Sequence, residues 1–165
     1  MLILSGTVGA GKTTIGHAVH EILSAKQVPH AFLDVDRLGD TWPQHGRFNQ
    51  GTVFSALSAL WPVYRKAGAA RLVLAYVVED QAELARYEAA LGPCTVAVVR
   101  LTASTPTLRQ RITTRETGEA QRWHLQRAAE LEGILDTAQP YGATVQNDGQ
   151  TPHEVGQAVL RCVGW

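Results

Sequence analysis

The chain has 165 residues, of which 45% are hydrophobic. A chain of this length buries roughly 70% of the surface that it exposes when unfolded, so a single domain over residues 1–165 needs no disulfide or metal ion for stability. Fifteen basic residues balance fifteen acidic ones, which argues against a protein that coats nucleic acids through its charge. The apolar runs are far shorter than the roughly 20 residues of a membrane span. We expect a cytoplasmic monomer or homodimer that binds neither nucleic acid nor membrane.

Five short apolar runs predict β-strands at residues 2–4, 31–33, 72–78, 96–101 and 143–145. The segments between them have helical periodicity and predict helices beginning near residues 15, 53, 81, 106, 120 and 152. Pro62 lacks a backbone N–H, and we expect it to kink or split the second helix. Thr151 and Glu154 form a capping box for the last helix. Alternating strands and helices predict a three-layer α/β domain, with a five-stranded parallel sheet between helices on both faces.

Residues 6–13, with the sequence GTVGAGKT, follow the first predicted strand and precede the first predicted helix. They match the pattern G-x-x-x-x-G-K-[ST] in the context that this pattern requires. Such a turn points several backbone N–H groups at one anion, and the positive φ angles that it needs favour glycine. We therefore predict that ATP and Mg²⁺ bind here, with Lys12 at the β- and γ-phosphates and Thr13 on the metal ion. A glycine-rich turn with an ion-paired lysine is the structural alternative. The loop residues expected to bind the nucleotide are Gly6, Val8, Gly9, Ala10, Gly11, Lys12, Thr13 and Thr14.

Asp34 and Asp36 come at the end of the second predicted strand. Side chains two positions apart on a strand point to the same side. The carboxyl ends of parallel strands form the edge where ligands bind, and the glycine-rich loop lies on that edge. A carboxylate there can accept the proton of an attacking hydroxyl or help to hold magnesium. The alternative is a turn in which Asp36 caps the next helix.

Residues 6–14 together with residues 33–37, LDVDR, resemble the small-molecule P-loop kinases, such as adenylylsulfate kinase, gluconate kinase and shikimate kinase. Adenylylsulfate kinases carry LDGDN where this chain has LDVDR at residues 33–37, so the match of that segment is partial. The resemblance implies a phosphotransferase that moves the γ-phosphoryl group of ATP to a hydroxyl of a small molecule. It also implies that Asp36 is the general base and that Asp34 lies nearer the magnesium. An adenylylsulfate-like, sugar-acid-like, nucleoside-like or antibiotic-like acceptor fits the resemblance equally well.

Residues 105–127 carry five arginines against two glutamates, an excess of positive charge in a neutral protein. A mobile segment of this kind resembles the lid that closes over ATP in these kinases and stabilises the charge of the transferring group. We expect Arg111 and Arg115 to act in catalysis, with Arg111 also contacting the nucleotide and Arg122 next in rank. For any single arginine, a position on a solvated helix face is the alternative.

Two further segments are candidates for ligand contacts. Residues 147–150, NDGQ, follow the fifth predicted strand, and Gln150 is expected near the nucleotide base, although the segment also reads as a simple turn. Glu79 and Asp80 follow the third strand and could reach magnesium, water or substrate, although a helix-start role is favoured for Asp80. The acceptor is expected between the second strand and the second helix. Its expected contacts are Asp36, Arg37, Trp42, Arg47 and Asn49, although Trp42 could instead anchor its loop on the core.

Two other functions remain open at this stage. A nucleotide-dependent switch or binding protein with weak NTPase activity would carry the same phosphate loop. A nucleoside monophosphate kinase would need arginines on the acceptor side, which Arg37, Arg47 and Arg65 could supply.

Overall fold

The computed structural model describes the backbone of residues 1–165 and every side chain except that of Arg47. Its centre is a sheet of five parallel strands in the order β2-β3-β1-β4-β5. Leu2 of β1 pairs with Val73 of β3 on one side and with Ala97 of β4 on the other. The strands are β1 Leu2–Ser5, β2 His30–Asp34, β3 Arg71–Ala75, β4 Ala97–Thr102 and β5 Ala143–Gln146. The predicted three-layer α/β fold class is therefore confirmed.

Six α-helices cover the two faces of this sheet. They are α1 Lys12–Ala25, α2 Gln50–Lys66, α3 Glu83–Leu91, α4 Thr105–Arg115, α5 Gly118–Ala138 and α6 Pro152–Cys162. Side chains of β1 alternate between the faces: Leu2 and Leu4 pack in the core under α1 and α6, whereas Ile3 packs in the core under α2 and α3. The capping box predicted for α6 is present, with Thr151 and Glu154 bonded in both directions. Within the described residues, no helix has the length and hydropathy needed to cross a membrane.

Two details of the predicted elements are wrong. Helix α2 runs without a break through Pro62. Pro62 has no N–H to donate to the carbonyl of Ser58. Both residues lie on the exposed side of the helix, where water can satisfy that carbonyl. The third strand ends at Ala75 rather than at residue 78. The backbone N–H of Val78 donates to the side-chain hydroxyl of Ser5 in β1 and not to a backbone carbonyl of that strand. A buried loop therefore continues the apolar run.

Candidate active site

A cavity of about 780 Å³ opens at the carboxyl ends of the strands. Its lining comes from the segments that follow β1, β2, β3 and β5, together with residues of α4 and α5. Ligand sites in open parallel sheets occupy this edge, and a volume of roughly 300–1,000 Å³ is typical of them. Two parts of the lining differ in chemistry. We call residues 6–14 the phosphate loop, and we call Phe48, Glu79, Trp123 and Arg127 the aromatic wall.

The phosphate loop has the backbone conformation that its glycines predict. Gly6, Gly9 and Gly11 have φ angles of 137°, 83° and 94°. At Gly11, a Cβ atom would lie 2.5 Å from the side-chain nitrogen of Asn147, and that amide donates to the carbonyl of Ala10. The loop is thus held closed by a buried side chain from the segment after β5, and a larger residue at position 11 has no room.

Lys12 begins α1 and lies over the loop. Its Nζ donates to the carbonyl of Gly6 at 2.9 Å and to that of Thr7 at 3.1 Å. Burial lowers the pKa of this ammonium group, the charges of Asp36 and Asp34 raise it, and the charge of Arg115 lowers it. The ammonium is therefore close enough to both carboxylates for electrostatic coupling.

Thr13 and Asp34 join the loop to the acidic segment after β2. The Thr13 hydroxyl donates to Asp34 Oδ2 at 2.8 Å. The other oxygen, Oδ1, is buried and has no hydrogen-bond partner among the described residues. Magnesium prefers oxygen ligands and takes only one or two from the protein when phosphates supply the rest. This hydroxyl and carboxylate therefore fit such an ion.

Asp36 lies in the short 3₁₀ turn Val35–Gly39 and lines the same cavity. Burial by the cavity walls raises its pKa, the charge of Lys12 opposes this effect, and the charges of Asp34 and Asp40 add to it. A carboxylate with a raised pKa is a stronger base, so the environment suits the acceptance of a proton.

The two lid arginines predicted for catalysis differ in their contacts. Arg111 donates from both ends of its guanidinium group, to the carbonyls of Gly9 at 3.2 Å and Asn147 at 2.7 Å. It therefore ties the phosphate loop to the segment after β5, a position that favours the nucleotide-binding role expected for it. Arg115 lines the cavity with a largely exposed side chain paired to Glu116. Arg122, next in rank, lies outside the cavity lining and faces Glu119 across 3.8 Å.

Of the residues predicted to contact the acceptor, Asp36 and Asn49 line the cavity, whereas Trp42 and Arg37 do not. Trp42 is 87% exposed, so it neither lines the cavity nor anchors its loop on the core. Arg37 points to solvent with an 80% exposed side chain and pairs with Asp40. Asn49 lines the cavity, but its amide holds the loop before α2, since it donates to Gly39 and Thr41 and accepts from His45. The side chain of Arg47 lies outside the described residues.

The remaining predicted contacts lie at the cavity in different ways. Val8, Gly9, Thr14 and Gln150 line it. Gly6 and Ala10 contribute through backbone carbonyls that hold Lys12 and Asn147. Asp80 accepts a hydrogen bond from the backbone of Glu83 at the start of α3, so the helix-start role favoured for it is confirmed.

The structure adds an aromatic wall, of which the sequence indicated only Glu79 as a candidate ligand contact. Phe48 and Trp123 lie edge to face at 6.4 Å between ring centres, and the Arg127 guanidinium lies 5.5 Å from the Phe48 ring. Arg127 and Glu79 form an ion pair beside these rings. Glu79 and Arg127 stand 48 positions apart, so only the folded chain shows their contact. For the two rings, the local signal in the sequence was Trp123, a tryptophan in the polar stretch that forms the first half of α5.

No protein-family model matches the chain, and no curated protein sequence matches it. Among solved structures, the fold is similar to the tunicamycin resistance protein of Deinococcus radiodurans, with a TM-score of 0.68, 18% identity, and coverage of 99% of this chain and 95% of that chain. It is similar to shikimate kinase from Acinetobacter baumannii in complex with shikimate, with a TM-score of 0.61, 17% identity, and coverage of 98% and 91%. A gluconokinase from Sinorhizobium meliloti has a TM-score of 0.62 and 19% identity, with coverage of 99% and 90%.

These similarities define the class of the fold. The chain shares its three-layer α/β fold with these proteins, two of which are small-molecule kinases, and residues 6–14 lie at the cavity on the carboxyl edge of its sheet. The resemblance found in the sequence is therefore confirmed at the level of the fold.

Proposed function

We propose that the protein is an ATP- and Mg²⁺-dependent phosphotransferase that transfers the γ-phosphoryl group to a hydroxyl of a small molecule. The observation that carries this proposal is the hydrogen bond between Thr13 and Asp34. It joins the phosphate loop to the acidic turn, so that Lys12 and Asp36 face one cavity. Phosphoryl transfer needs a phosphate cradle, a metal site and a group that takes the acceptor's proton, and these residues supply all three.

The phosphate loop would bind the triphosphate through its backbone N–H groups and the amino terminus of α1. The Lys12 ammonium would leave the carbonyls of Gly6 and Thr7 for the β- and γ-phosphates. Thr13 and Asp34 would hold the magnesium ion, which neutralises phosphate charge when bound. Arg111 would lie at the nucleotide beside Gln150, because it already bridges the loop and the segment after β5.

Asp36 would orient the acceptor hydroxyl and accept its proton. Arg115 is the lid arginine whose charge reaches Lys12, so it is the better placed of the two predicted catalytic arginines to stabilise the transferring phosphoryl group. The residues of α4 and α5 that line the cavity would exclude water, which otherwise competes with the acceptor. The structural similarity to a shikimate kinase and a gluconokinase supports an acceptor of small size.

Calorimetry with Mg²⁺ and a non-hydrolysable ATP analogue tests the nucleotide half of the proposal. We expect Lys12→Ala to weaken binding at least tenfold, since a charged hydrogen bond contributes roughly 1.5–3 kcal/mol. Lys66→Ala, at the exposed end of α2, is the matched control and should bind like the wild type. Equal binding by both variants would remove the basis of the assignment.

Transfer of radioactive phosphate from γ-labelled ATP to a panel of hydroxyl compounds tests the enzymatic half. A labelled product formed in proportion to acceptor concentration supports a kinase. A nucleotide-dependent switch would bind ATP and release phosphate slowly at a rate that no hydroxyl compound changes, which would contradict the proposal.

A further inference from the structure

The aromatic wall contains one cation, Arg127, and this side chain is paired with carboxylates of the protein. Arg127 of α5 is 5% exposed and lines the cavity. Its Nη2 donates to Glu79, and its Nη1 lies 3.6 Å from Glu130 Oε2. Glu79 comes from the segment after β3, so the pair fixes α5 to the sheet edge. Two carboxylates thus occupy the guanidinium group that an anionic ligand would otherwise use.

The surroundings of this ion pair are acidic. Asp36 and Glu83 line the same cavity. Burial raises the pKa of Glu83, and the charges of Asp80 and Glu79 raise it further. Burial and the charges of Asp36, Glu83 and Glu79 are among the causes that raise the pKa of Tyr76 to about 12. The carboxylates of Asp36 and Glu83 would repel a phosphate or carboxylate placed beside this ion pair.

The other cations of the cavity belong to the phosphate loop and the lid. Lys12 and Arg111 donate to carbonyls on either side of that loop, and Arg115 is paired to Glu116. A nucleoside monophosphate acceptor would need arginines such as Arg37 and Arg65. Arg37 is paired to Asp40 and points to solvent. Neither Arg37 nor Arg65 is part of the cavity lining. Among the described side chains, Arg127 is therefore the positively charged group of the aromatic wall.

The wall presents the rings of Phe48 and Trp123 to the cavity, whereas the charge of Arg127 is paired with Glu79. Phe48 and Trp123 are 42% and 48% exposed although both line the cavity. Exposed aromatic rings at a cavity provide apolar contact area and stacking faces for a planar group.

From these contacts we infer that Glu79 determines specificity by occupying Arg127, so that the acceptor is a ring-bearing hydroxyl compound with no phosphate or carboxylate on the part that enters the aromatic wall. This inference rests on the proposed function and names its substrate class. It separates the chain from enzymes that act on a nucleoside monophosphate or a hydroxy acid. A nucleoside or another uncharged glycosidic ring compound fits the wall.

Matched acceptor pairs test the inference on the wild-type protein. Each pair differs only in an anionic group: a nucleoside and its 5′-monophosphate, and the methyl ester and free acid of a cyclic hydroxy acid. In the presence of Mg²⁺ and a non-hydrolysable ATP analogue, calorimetry should show the neutral member binding at least about tenfold more tightly, which corresponds to about 1.4 kcal/mol. Equal or tighter binding of the anionic members, or no binding of either member in any pair, would overturn the inference.

Substitutions at the ion pair test the role of Glu79 without an identified acceptor. With the phosphate loop filled by the same analogue and Mg²⁺, sulfate is titrated into the protein. We expect Glu79→Gln to bind sulfate at least about tenfold more tightly than the wild type, because the Nη2 end of the Arg127 guanidinium group, which Glu79 occupied, is released. The double variant Glu79→Gln with Arg127→Gln should lose this gain. Glu88→Gln, on the exposed side of α3, is the control.

The readouts separate the two proposals. Uptake of the ATP analogue is measured first, and its absence would contradict the proposed kinase rather than the specificity of the wall. If the analogue binds but Glu79→Gln gains no sulfate affinity, Glu79 does not block Arg127 and the inference is wrong. A gain that persists in the double variant would place the sulfate elsewhere and would also overturn it.

Discussion

The phosphate loop and the aromatic wall line the same cavity but are built in different ways. The loop comes from nine consecutive residues, 6–14, and its shape follows from three glycines and the start of a helix. The wall combines four residues from three distant segments: Phe48 before α2, Glu79 after β3, and Trp123 and Arg127 of α5. A short stretch of sequence can therefore specify the proposed phosphate-binding loop, whereas the make-up of the wall depends on how the layers pack. This division predicts that changes in each part have separate effects on nucleotide and acceptor.

Asp36 lines the cavity that the two parts share, and its substitution should have the largest effect. Asp36→Asn keeps the size of the side chain but cannot accept a proton. We expect kcat to fall by about 10²–10⁴, the usual contribution of a general base, with the affinity for ATP nearly unchanged. Steady-state kinetics on the first acceptor found, together with calorimetry of the ATP analogue, measures both quantities. A variant that keeps most of its kcat would show that the acceptor's proton leaves by another route.

The pH dependence sharpens the role of Asp36. Because its pKa is raised above 3.8, mainly by burial, kcat/KM should fall about tenfold per pH unit below that raised pKa, where the carboxyl is protonated. Folding stability has the opposite sign. The unfolded carboxyl has the lower pKa and loses its proton first, so ionisation in the folded state costs stability as the pH rises through the raised value. A pH–rate profile that is flat in this range in the wild type would contradict the assignment.

A substitution in the phosphate loop should affect the nucleotide and leave the acceptor wall unchanged. Gly11→Ala puts a Cβ atom 2.5 Å from the Asn147 amide at a φ of 94°. We expect a loss of about 1–3 kcal/mol in stability from the strain and weaker binding of the ATP analogue. Gly51→Ala is the matched control, since a Cβ atom at position 51 meets no atom within 4 Å and alanine favours a helix. Thermal melts and calorimetry of both variants decide the matter.

A substitution in the wall should have the converse and smaller effect. Trp123→Ala removes one of the two exposed rings and its edge-to-face contact with Phe48. We expect the KM of a ring-bearing acceptor to rise by the factor that corresponds to a loss of roughly 0.5–1.5 kcal/mol of binding free energy, the contribution of one aromatic contact. The affinity for the ATP analogue should stay constant. Trp42→Ala, in the exposed loop before α2, should change neither quantity. If both tryptophan variants behave alike, the wall does not contact the acceptor.

The sequence by itself determined the fold class and the loop and carboxylates of the proposed nucleotide site. Apolar runs of strand length alternating with amphipathic segments define a parallel α/β domain, because each element must bury its apolar face against the next layer. The residues from Gly6 to Thr14 and the pair Asp34 and Asp36 could be predicted as neighbours, because parallel strands bring their carboxyl ends to one edge. Contacts that form within a few residues, or at strand ends, are encoded locally.

Only the tertiary structure decided the acceptor side. Trp42 and Arg37 had the residue types expected at a substrate site, yet their loop turns them to solvent. The buried pair of Glu79 and Arg127 depends on where α5 packs against the segment after β3. Residue type shows what a side chain can bind, but its partners depend on packing between distant segments. For this reason the wall, and the charge that Glu79 neutralises there, became visible only in the folded chain.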